Sequence, residues 1–436
     1  MTTSSIDLPD SASRKTRLFV VDHMCVLPYG HNRASVALFR RELEANFTES
    51  QALVPLALGA GTADVRGFTR CLNFPYNAFG YRRFGPWCDR WIKNDALRIW
   101  VQRVLRRIER VALTRLAKIL RFDLLLWLTE RNWKKLFRTY DFGRDDLIFF
   151  PSADFYGVGA CLDWILKSKI KNPPRIHLRM VNVMENASLN PSSAREVLIT
   201  RVRRAIAQGI DVSLSGETMA YISYLTEKLG EHVEYFPYPL SGDCAPMPRS
   251  KPVVAAAIGS GRGDKGYFLW ADIAQKTAML STEPVLFEIQ AMPRQDREFN
   301  YEYEMNLASI PNIRVLAATL TEPDMVECYQ RSYAVVLPYD PKVYEYRGSA
   351  IMQEAIAFCR PVVCLAGAAY ADSVKRYQNG YVCRDIEEMV AAISECASIS
   401  PVEWERRLKI ARESYAEDVR EAIERILGGS RVKEDR

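Results

Sequence analysis

The sequence lacks several features that would assign it to a class at once. No apolar run approaches the ~18 residues that a membrane-spanning helix needs, and the longest candidates, at 124–128 and 252–258, are short. The polar residues 1–16 have no hydrophobic centre of a signal peptide. The ten cysteines include no Cys-x-x-Cys pair, and the four histidines form no His-x-x-x-His pair. We therefore expect reduced thiols, no structural zinc site and a cytoplasmic protein.

The remaining composition is that of an ordinary globular protein. Of the 436 residues, 48% are hydrophobic and 26% are charged, which excludes a disordered or low-complexity chain. The formal net charge is +6, yet residues 82–138 alone hold 16 basic and 5 acidic side chains, together with five of the eight tryptophans. A chain of this length is expected to form two to three domains.

Apolar runs with strand character alternate with helical stretches along most of the chain. In the first half these runs lie at 18–21, 52–57, 147–150, 176–183, 212–214 and 233–236. The alternation predicts parallel strands with crossover helices, and hence an α/β fold. A Pro-rich segment, 237–252, interrupts the alternation and is interpreted as a linker. The predicted parts are a first domain at 1–240, a second at 253–400 and a helical segment at 401–436.

Residues 87–142 contain neither glycine nor proline, which predicts a long helix or a helical hairpin. Its apolar stripe consists of Leu97, Val101, Val104, Ile108, Val111 and Ala112. Three interpretations are open for this basic insertion, residues 82–142. The stripe could pack into the first domain, or the insertion could bind nucleic acid or an anionic membrane surface. No nucleic-acid-binding motif accompanies it, and so we expect no nucleic-acid partner.

A glycine-rich loop, GSGRGDKG at residues 259–266, follows the strand predicted at 253–258. Glycines let backbone amides approach a ligand, and Arg262 and Lys265 add positive charge that suits a diphosphate. The spacing matches neither the dinucleotide-binding fingerprint nor a P-loop. A glycine-rich turn with two solvated charges explains the loop equally well.

A second motif lies where the strand predicted at 334–337 leads through a Pro-containing loop into a helix. Gly348 and Ser349 open this helix, with Ser349 as its N-cap, and Glu354 lies one to two turns inside it. A carboxylate there can accept the two hydroxyl hydrogens of a ribose, while the free amides at the helix start hold phosphate. Because Glu354 interrupts an otherwise apolar stretch, we favour a functional role over that of a solvated surface glutamate.

These motifs resemble the second domain of the GT-B fold glycosyltransferases, most closely the group-1, family-4 retaining enzymes. The resemblance covers 253–397 and rests on elements in matching order: Arg262, Lys265-Gly266, Tyr329, 335–339, Arg347-Gly348-Ser349, Glu354, Arg360-Pro361 and Asn379-Gly380. The loop at 28–32 carries a weaker similarity in the first domain. The resemblance implies an α/β fold of two Rossmann-like domains facing a cleft, with the basic helical insertion in the first.

The resemblance also implies roles for individual residues in binding a nucleotide-sugar donor. Arg262 and Lys265 would hold its diphosphate, and Glu354 would bind its ribose. The amides around Gly348 and Ser349 would face phosphate or sugar.

Further roles follow for the first domain and for one position that departs from the family pattern. Gly30 and His31 would lie across the cleft near the donor, which makes His31, with Glu354, a candidate catalytic residue. The family usually has a glutamate eight residues before Glu354, where this sequence has Tyr346. The candidates to take over the role of that glutamate are Tyr344, Glu345 and the donor-binding candidate Arg347.

The resemblance therefore predicts a glycosyltransferase of the hexosyltransferase type. It would move a sugar from a nucleotide-sugar co-substrate to a saccharide or lipid-linked saccharide, with retention and without a metal ion or other cofactor. Since such enzymes commonly act at the cytoplasmic leaflet in polysaccharide biosynthesis, we favour an anionic membrane surface as the partner of the insertion and a peripheral location. The alternatives on this fold are a non-catalytic nucleotide-sugar-binding or scaffold protein, a nucleotide-sugar epimerase and a phosphorylase.

Overall fold

The computed structural model describes residues 16–25, 31–55, 67–72, 90–120, 123–293 and 300–428. The chain divides into two compact units, Met1–Leu214 and Ser215–Arg436. Strands and helices alternate in both units, and the α/β fold class predicted from the apolar runs is confirmed.

The first sheet has seven strands. They are β1 (Arg17–Val21), β2 (Glu49–Pro55), β3 (Phe68–Leu72), β4 (Leu147–Phe150), β5 (Arg175–Met180), β6 (Val212–Gly216) and β7 (Glu234–Tyr235). Their spatial order is β3-β2-β1-β4-β5-β6-β7, and β1 pairs in parallel with both β2 and β4. The winding direction therefore reverses between β1 and β4, as in a doubly wound sheet. The boundary between the units falls inside β6.

Six helices accompany these strands in the described residues. They are α1 (His31–Glu44), α2 (Asp95–Leu120), α3 (Leu124–Tyr140), α4 (Phe155–Ser168), α5 (Ala194–Ala207) and α6 (Met219–Leu229). Helices α2 and α3 form the basic insertion, as the absence of glycine and proline predicts. The Asp123 carboxylate caps α3 by accepting hydrogen bonds from two backbone amides, and this fixes the point where the second helix starts.

Trp133 of α3 belongs to the core of the first unit. It is fully buried, and its Nε1 donates to the carbonyl oxygen of Gly157 at 2.9 Å. Trp127 is partly exposed and lies beneath the Arg131 guanidinium, 4.7 Å from its ring centroid. Helix α3 therefore packs on α4, so this part of the insertion belongs to the core of the first unit.

The second sheet has six parallel strands. They are β8 (Val253–Ala257), β9 (Val285–Gln290), β10 (Ile313–Leu316), β11 (Ala334–Leu337), β12 (Val362–Leu365) and β13 (Gly380–Cys383). The spatial order is β10-β9-β8-β11-β12-β13, and every neighbouring pair is parallel. The winding direction changes between β8 and β11. In such sheets a ligand binds beside the loops that follow the two strands at this point.

Seven helices surround the second sheet in the described part of the chain. They are α7 (Trp270–Leu280), α8 (Tyr301–Ser309), α9 (Glu322–Arg331), α10 (Ala350–Ala357), α11 (Ala371–Tyr377), α12 (Ile386–Ser398) and α13 (Pro401–Gly428). Helix α13 packs against α10 and α11. The chain from 401 onward was predicted as a separate helical segment, whereas here α13 is part of the second unit. None of the described helices is long and apolar enough to span a membrane.

Arg360 connects the Pro-rich segment, which was predicted as a linker, to the rest of the second unit by hydrogen bonds. This guanidinium is fully buried and donates to the carbonyl oxygens of Ala245 and Pro246, both at 2.9 Å. It also donates to the carbonyl oxygens of Tyr329 and Gln330 at the end of α9. Burial lowers the pKa of Arg360 to about 10, so the group stays charged at neutral pH.

Cys244 and Cys359 form a disulfide, with Cα atoms 5.1 Å apart. This differs from the reduced thiols expected from the sequence. The physical reason lies next to Cys359, because Arg360 binds the carbonyl groups that follow Cys244 and so holds the two chain segments together. Seven further cysteines in the described residues carry free thiols, and six of them are buried.

Replacing Arg360 should destabilise the protein strongly. In Arg360→Met, the carbonyl groups that the guanidinium serves lose their donor inside the protein. We expect the free energy of unfolding to fall by at least about 3 kcal/mol. The measurement is chemical denaturation followed by circular dichroism. The control is Arg384→Met, which removes an exposed ion pair with Glu388 and should leave the free energy of unfolding nearly unchanged. Equal effects of the two variants would contradict the prediction.

Candidate functional site

Two loops meet at the carboxyl ends of β8 and β11. One is the glycine-rich loop, residues 259–266, and the other, residues 338–349, leads into α10 and is called the helix-entry loop. The Asp340 amide donates to the carbonyl oxygen of Asp264 at 3.0 Å. Gly266 has a φ of 70°, and a Cβ at this position would overlap the Pro338 carbonyl oxygen, so only glycine fits. The sheet therefore joins two motifs that lie far apart in the sequence.

Backbone amides of the glycine-rich loop are bonded within the protein. Gln290, the last residue of β9, accepts hydrogen bonds from the amides of Gly259 and Ser260 at its Oε1, both at 2.7 Å. The Gly261 amide donates to the carbonyl oxygen of Ala291. The sequence predicts that these glycines let amides approach a ligand, and the structure corrects this for 259–261. Gln290 was missed because a glutamine that ends a strand carries no local signal of this role.

Arg262 and Lys265 supply the positive charge of the glycine-rich loop. Lys265 Nζ donates to the carbonyl oxygen of Gly259 and lies 5.4 Å from the centroid of the Tyr339 ring. Burial and, to a lesser degree, the charge of Arg262 lower the pKa of Lys265 to about 8. Arg262 is more exposed and donates to Asp264 at 2.9 Å and to the Tyr344 hydroxyl at 3.2 Å. The loop thus combines one desolvated cation with one that water reaches.

Glu354 lies in α10 and is oriented by Tyr329 of α9. The buried Tyr329 hydroxyl donates to Glu354 Oε2 at 2.7 Å, and the Tyr329 ring stacks on Phe358 with centroids 4.8 Å apart. Burial raises the pKa of Glu354, and both this hydrogen bond and the charge of Lys265 oppose the rise. Within the described part of the chain, no group donates to Oε1. A hydroxyl group of a ligand can therefore bind there.

The start of α10 is built as the sequence predicts. Ser349 is the N-cap, and its Oγ accepts a hydrogen bond from the Met352 amide at 3.3 Å. Gly348 precedes the cap and Arg347 precedes Gly348. Arg347 is half-buried, and no described residue forms a hydrogen bond or ion pair with its guanidinium. Its cation is therefore available to an anionic ligand.

The segment after β6 packs against the helix-entry loop. Thr218 Oγ1 donates to the carbonyl oxygen of Tyr346 at 2.9 Å. The Tyr346 ring contacts the rings of Tyr221 and Tyr224, with centroids 5.7 and 5.2 Å away. Tyr346 occupies the position where the resembled family usually has a glutamate. Its ring serves to hold the loop against α6.

The remaining candidates, Gly30 and His31, belong to the first unit. His31 is the first residue of α1, and of this residue the structure describes only the backbone. Gly30 lies outside the described residues. A role for Gly30 and His31 beside the donor therefore stays a prediction.

A buried acid–histidine cluster lies at the carboxyl ends of β1 and β4 in the first unit. It consists of Asp22, His23 and Asp154, with His23 Nδ1 3.6 Å from Asp154 Oδ1. A Cβ at Gly157 would overlap the side chains of His23 and Asp154, so the glycine leaves space for these two groups. Burial raises the pKa of Asp22 and of Asp154 to about 7 and lowers that of His23 to about 3. The histidine is therefore neutral at physiological pH.

In the described ranges, no group of three or more His, Cys, Asp or Glu side chains is arranged to hold a metal ion. Comparison with protein-family models gives no match, and neither does comparison with curated proteins.

Solved structures of glycosyltransferases share the fold of this chain. An α,α-trehalose-phosphate synthase (UDP-forming) from Burkholderia xenovorans, in complex with glucose-6-phosphate, superposes with a TM-score of 0.59 at 12% identity, over 95% of this chain and 99% of that one. The lipopolysaccharide outer core galactosyltransferase WaaB superposes with a TM-score of 0.51 at 12% identity, over 95% of this chain and 99% of that one. A TarM variant from S. aureus, in complex with Fondaparinux, alpha-GlcNAc-glycerol and UDP, superposes with a TM-score of 0.52 at 19% identity.

The TarM match covers 71% of this chain and 59% of that protein, less than two thirds of its length. At such identities the similarity shows the fold. Each of the two units has the parallel-sheet α/β architecture found in these solved GT-B glycosyltransferases, and the α/β fold implied by the sequence motifs is confirmed. The assignment to the group-1, family-4 enzymes stays a prediction.

Binding of an anion at the glycine-rich loop should weaken as the pH rises through 8. Lys265 is positively charged below its pKa of about 8 and neutral above it. Between pH 7 and pH 9 the charged fraction, and with it the affinity for inorganic pyrophosphate, should fall about tenfold. The measurement is titration calorimetry. Pyrophosphate itself titrates in this range, so Lys265→Arg serves as the reference, because its guanidinium stays charged. An equal decline in both proteins would contradict the prediction.

Proposed function

We propose that the protein transfers a sugar from a nucleotide-sugar donor to a saccharide or lipid-linked saccharide acceptor. One observation carries this proposal: the second sheet brings the cations Arg262 and Lys265 to the same edge as the carboxylate of Glu354. A nucleotide sugar offers matching groups in series, since its ribose hydroxyls suit a carboxylate and its diphosphate suits two cations. The GT-B fold and the UDP bound to the TarM variant support this assignment.

In the proposed reaction, a hydroxyl oxygen of the acceptor bonds to the anomeric carbon of the sugar as the bond between the sugar and the diphosphate breaks. Negative charge accumulates on the departing nucleoside diphosphate, which takes up the proton of the acceptor hydroxyl. Arg262 and Lys265 would stabilise that charge. Lys265 has the larger effect, because its burial removes competing water. An approaching diphosphate raises the pKa of Lys265 and so keeps it protonated. On the basis of the family resemblance we propose that the transfer retains the anomeric configuration and needs no metal ion.

Glu354 would bind the ribose in this proposal. Its Oε2 already accepts a hydrogen bond from Tyr329, and so the carboxylate is held in one orientation before the donor arrives. Oε1 is left to accept a ribose hydroxyl. A carboxylate fixed in this way loses little side-chain entropy on binding, which favours the correctly oriented nucleotide.

Release of nucleoside diphosphate from a panel of UDP-, GDP-, ADP- and dTDP-sugars tests the enzyme proposal. With an acceptor extract that includes lipids, we expect turnover with at least one donor. Lys265→Ala should lower kcat/KM about 100-fold, since it removes charge from the leaving group. Glu354→Ala should lower kcat/KM about tenfold, because the ribose loses a hydrogen bond to the carboxylate. Lys409→Ala, an exposed change on α13, is the matched control and should behave like the native protein.

The outcomes of this panel separate the alternatives. No release with any donor would contradict the transferase proposal. Tight nucleotide binding without turnover would support a non-catalytic nucleotide-sugar-binding or scaffold protein, an alternative motivated by Tyr346 at a position where the resembled family has a glutamate. Conversion of one nucleotide sugar into another without an acceptor would support an epimerase.

We also propose that α2 attaches the protein to an anionic membrane surface. Among the side chains of α2 that the structure describes, the exposed large apolar ones are Leu97, Trp100, Ile108, Val111 and Ile119. Leu97, Ile108 and Ile119 are spaced by eleven residues, which is three helical turns, and they therefore lie in line on one face. Arg107 and Arg115 on the same helix are exposed and can meet anionic head groups. Leu97, Ile108 and Val111 of the predicted stripe are thus not in the core.

Flotation with vesicles tests the role of α2. We expect the native protein to float with vesicles that contain phosphatidylglycerol at low salt, and less at high salt. The double variant Leu97→Glu and Ile119→Glu should remain in the soluble fraction, because it places charge on the apolar face. Ile410→Glu changes another exposed isoleucine, on α13, and is the control. Failure of the native protein to float at any salt concentration would contradict the proposal.

A further inference from the structure

We propose that Glu217 binds the sugar of the donor, an inference that rests on the nucleotide-sugar site proposed above. Glu217 directly follows β6, and its carboxylate lies against Gly348 at the start of α10. A Cβ added at Gly348 would overlap the Glu217 carboxylate. Gly348 is not among the glycines with a positive φ, so its backbone conformation does not require glycine. The missing side chain at 348 therefore serves the close approach of Glu217.

The residue that follows Glu217 fixes the position of the backbone here. The next residue, Thr218, is buried and caps α6 by accepting a hydrogen bond from the Tyr221 amide at 3.3 Å. The same hydroxyl donates to the carbonyl oxygen of Tyr346. The Tyr346 ring rests on Tyr221, so that the turn carrying Glu217 and the helix-entry loop form one packed unit. A carboxylate held in this way is positioned before a ligand binds.

Glu217 lies beside the loop just before α10, and Glu354 lies within this helix. Gly348 precedes the helix, and Glu354 is about 6 Å along the helix axis from its first residue, Ala350. The cations of the glycine-rich loop belong to the same site, since Lys265 interacts electrostatically with Glu354 and Arg262 bonds to Tyr344 of the helix-entry loop. A nucleotide sugar has its ribose and its sugar ring at opposite ends of the diphosphate. With its ribose on Glu354, its sugar would point toward the start of α10.

The charge of Glu217 indicates which part of the donor it contacts. A carboxylate repels phosphate, and so the ligand group beside it must be uncharged. The hydroxyl groups of a sugar meet this condition, because a carboxylate can accept two of them with hydrogen bonds that are stronger than those to a neutral acceptor. Glu217 thus distinguishes a nucleotide sugar from the nucleoside diphosphate alone.

Titration calorimetry with matched ligands tests this inference. The probes are UDP and UDP-glucose, GDP and GDP-mannose, ADP and ADP-glucose, and dTDP and dTDP-glucose. For the pair of ligands that binds the native protein, Glu217→Gln should lower the affinity for the nucleotide sugar at least tenfold. It should change the affinity for the nucleoside diphosphate less than twofold. Gly348→Ala should cause the same selective loss, because its methyl group displaces the carboxylate. Glu231→Gln, an exposed change after α6, is the control.

The outcomes separate this inference from the proposed function. An equal loss of affinity for the nucleoside diphosphate and the nucleotide sugar, or no loss for either, would overturn the role of Glu217. Either result would leave the proposed donor site intact. Failure of the native protein to bind any of the eight ligands would overturn both. Thermal melting identifies a folding defect in Glu217→Gln. In that case the selective loss must appear in Gly348→Ala, and its absence there would also overturn the role of Glu217.

Discussion

The candidate site depends on one buried cation, the guanidinium of Arg360, which lies away from the site itself. It joins the end of α9 to the Pro-rich segment, and it holds the backbone of Tyr329 by its carbonyl group. Tyr329 in turn directs its hydroxyl at Glu354. A guanidinium has five N–H donors in a fixed plane, so it can serve several carbonyl groups in only one arrangement. The orientation of Glu354 therefore derives from contacts that no ligand touches.

Burial shifts the two charged groups of the site in opposite directions. It lowers the pKa of Lys265 and raises that of Glu354, and each group opposes the shift of the other through its charge. A site of this kind is least stable when it is empty, because both charges are then poorly solvated. A ligand that carries anionic and hydroxyl groups compensates for both, which makes its binding selective for molecules that combine them.

The parts of this structure that are predictable from sequence depend on local signals. Apolar runs, and the scarcity of glycine and proline in the insertion, predict most strands and helices, and the position of Ser349 before an apolar stretch predicts the cap of α10. Gln290 and Glu217 reach the site through strand order and loop packing, which no local pattern contains. The burial of Trp133 depends in the same way on α3 packing against α4. The pairing of Cys244 with Cys359 requires the contacts of the neighbouring arginine.

Gln290 has a consequence for the speed of a catalytic cycle. By occupying the amides of Gly259 and Ser260, it holds the start of the glycine-rich loop in place before any anion binds. Little conformational entropy is then lost when a diphosphate arrives and little is regained when it leaves. The product is held chiefly by two cationic side chains, and dissolved ions weaken the attraction of the more exposed one, Arg262. The loop therefore favours rapid exchange of nucleotide over prolonged retention.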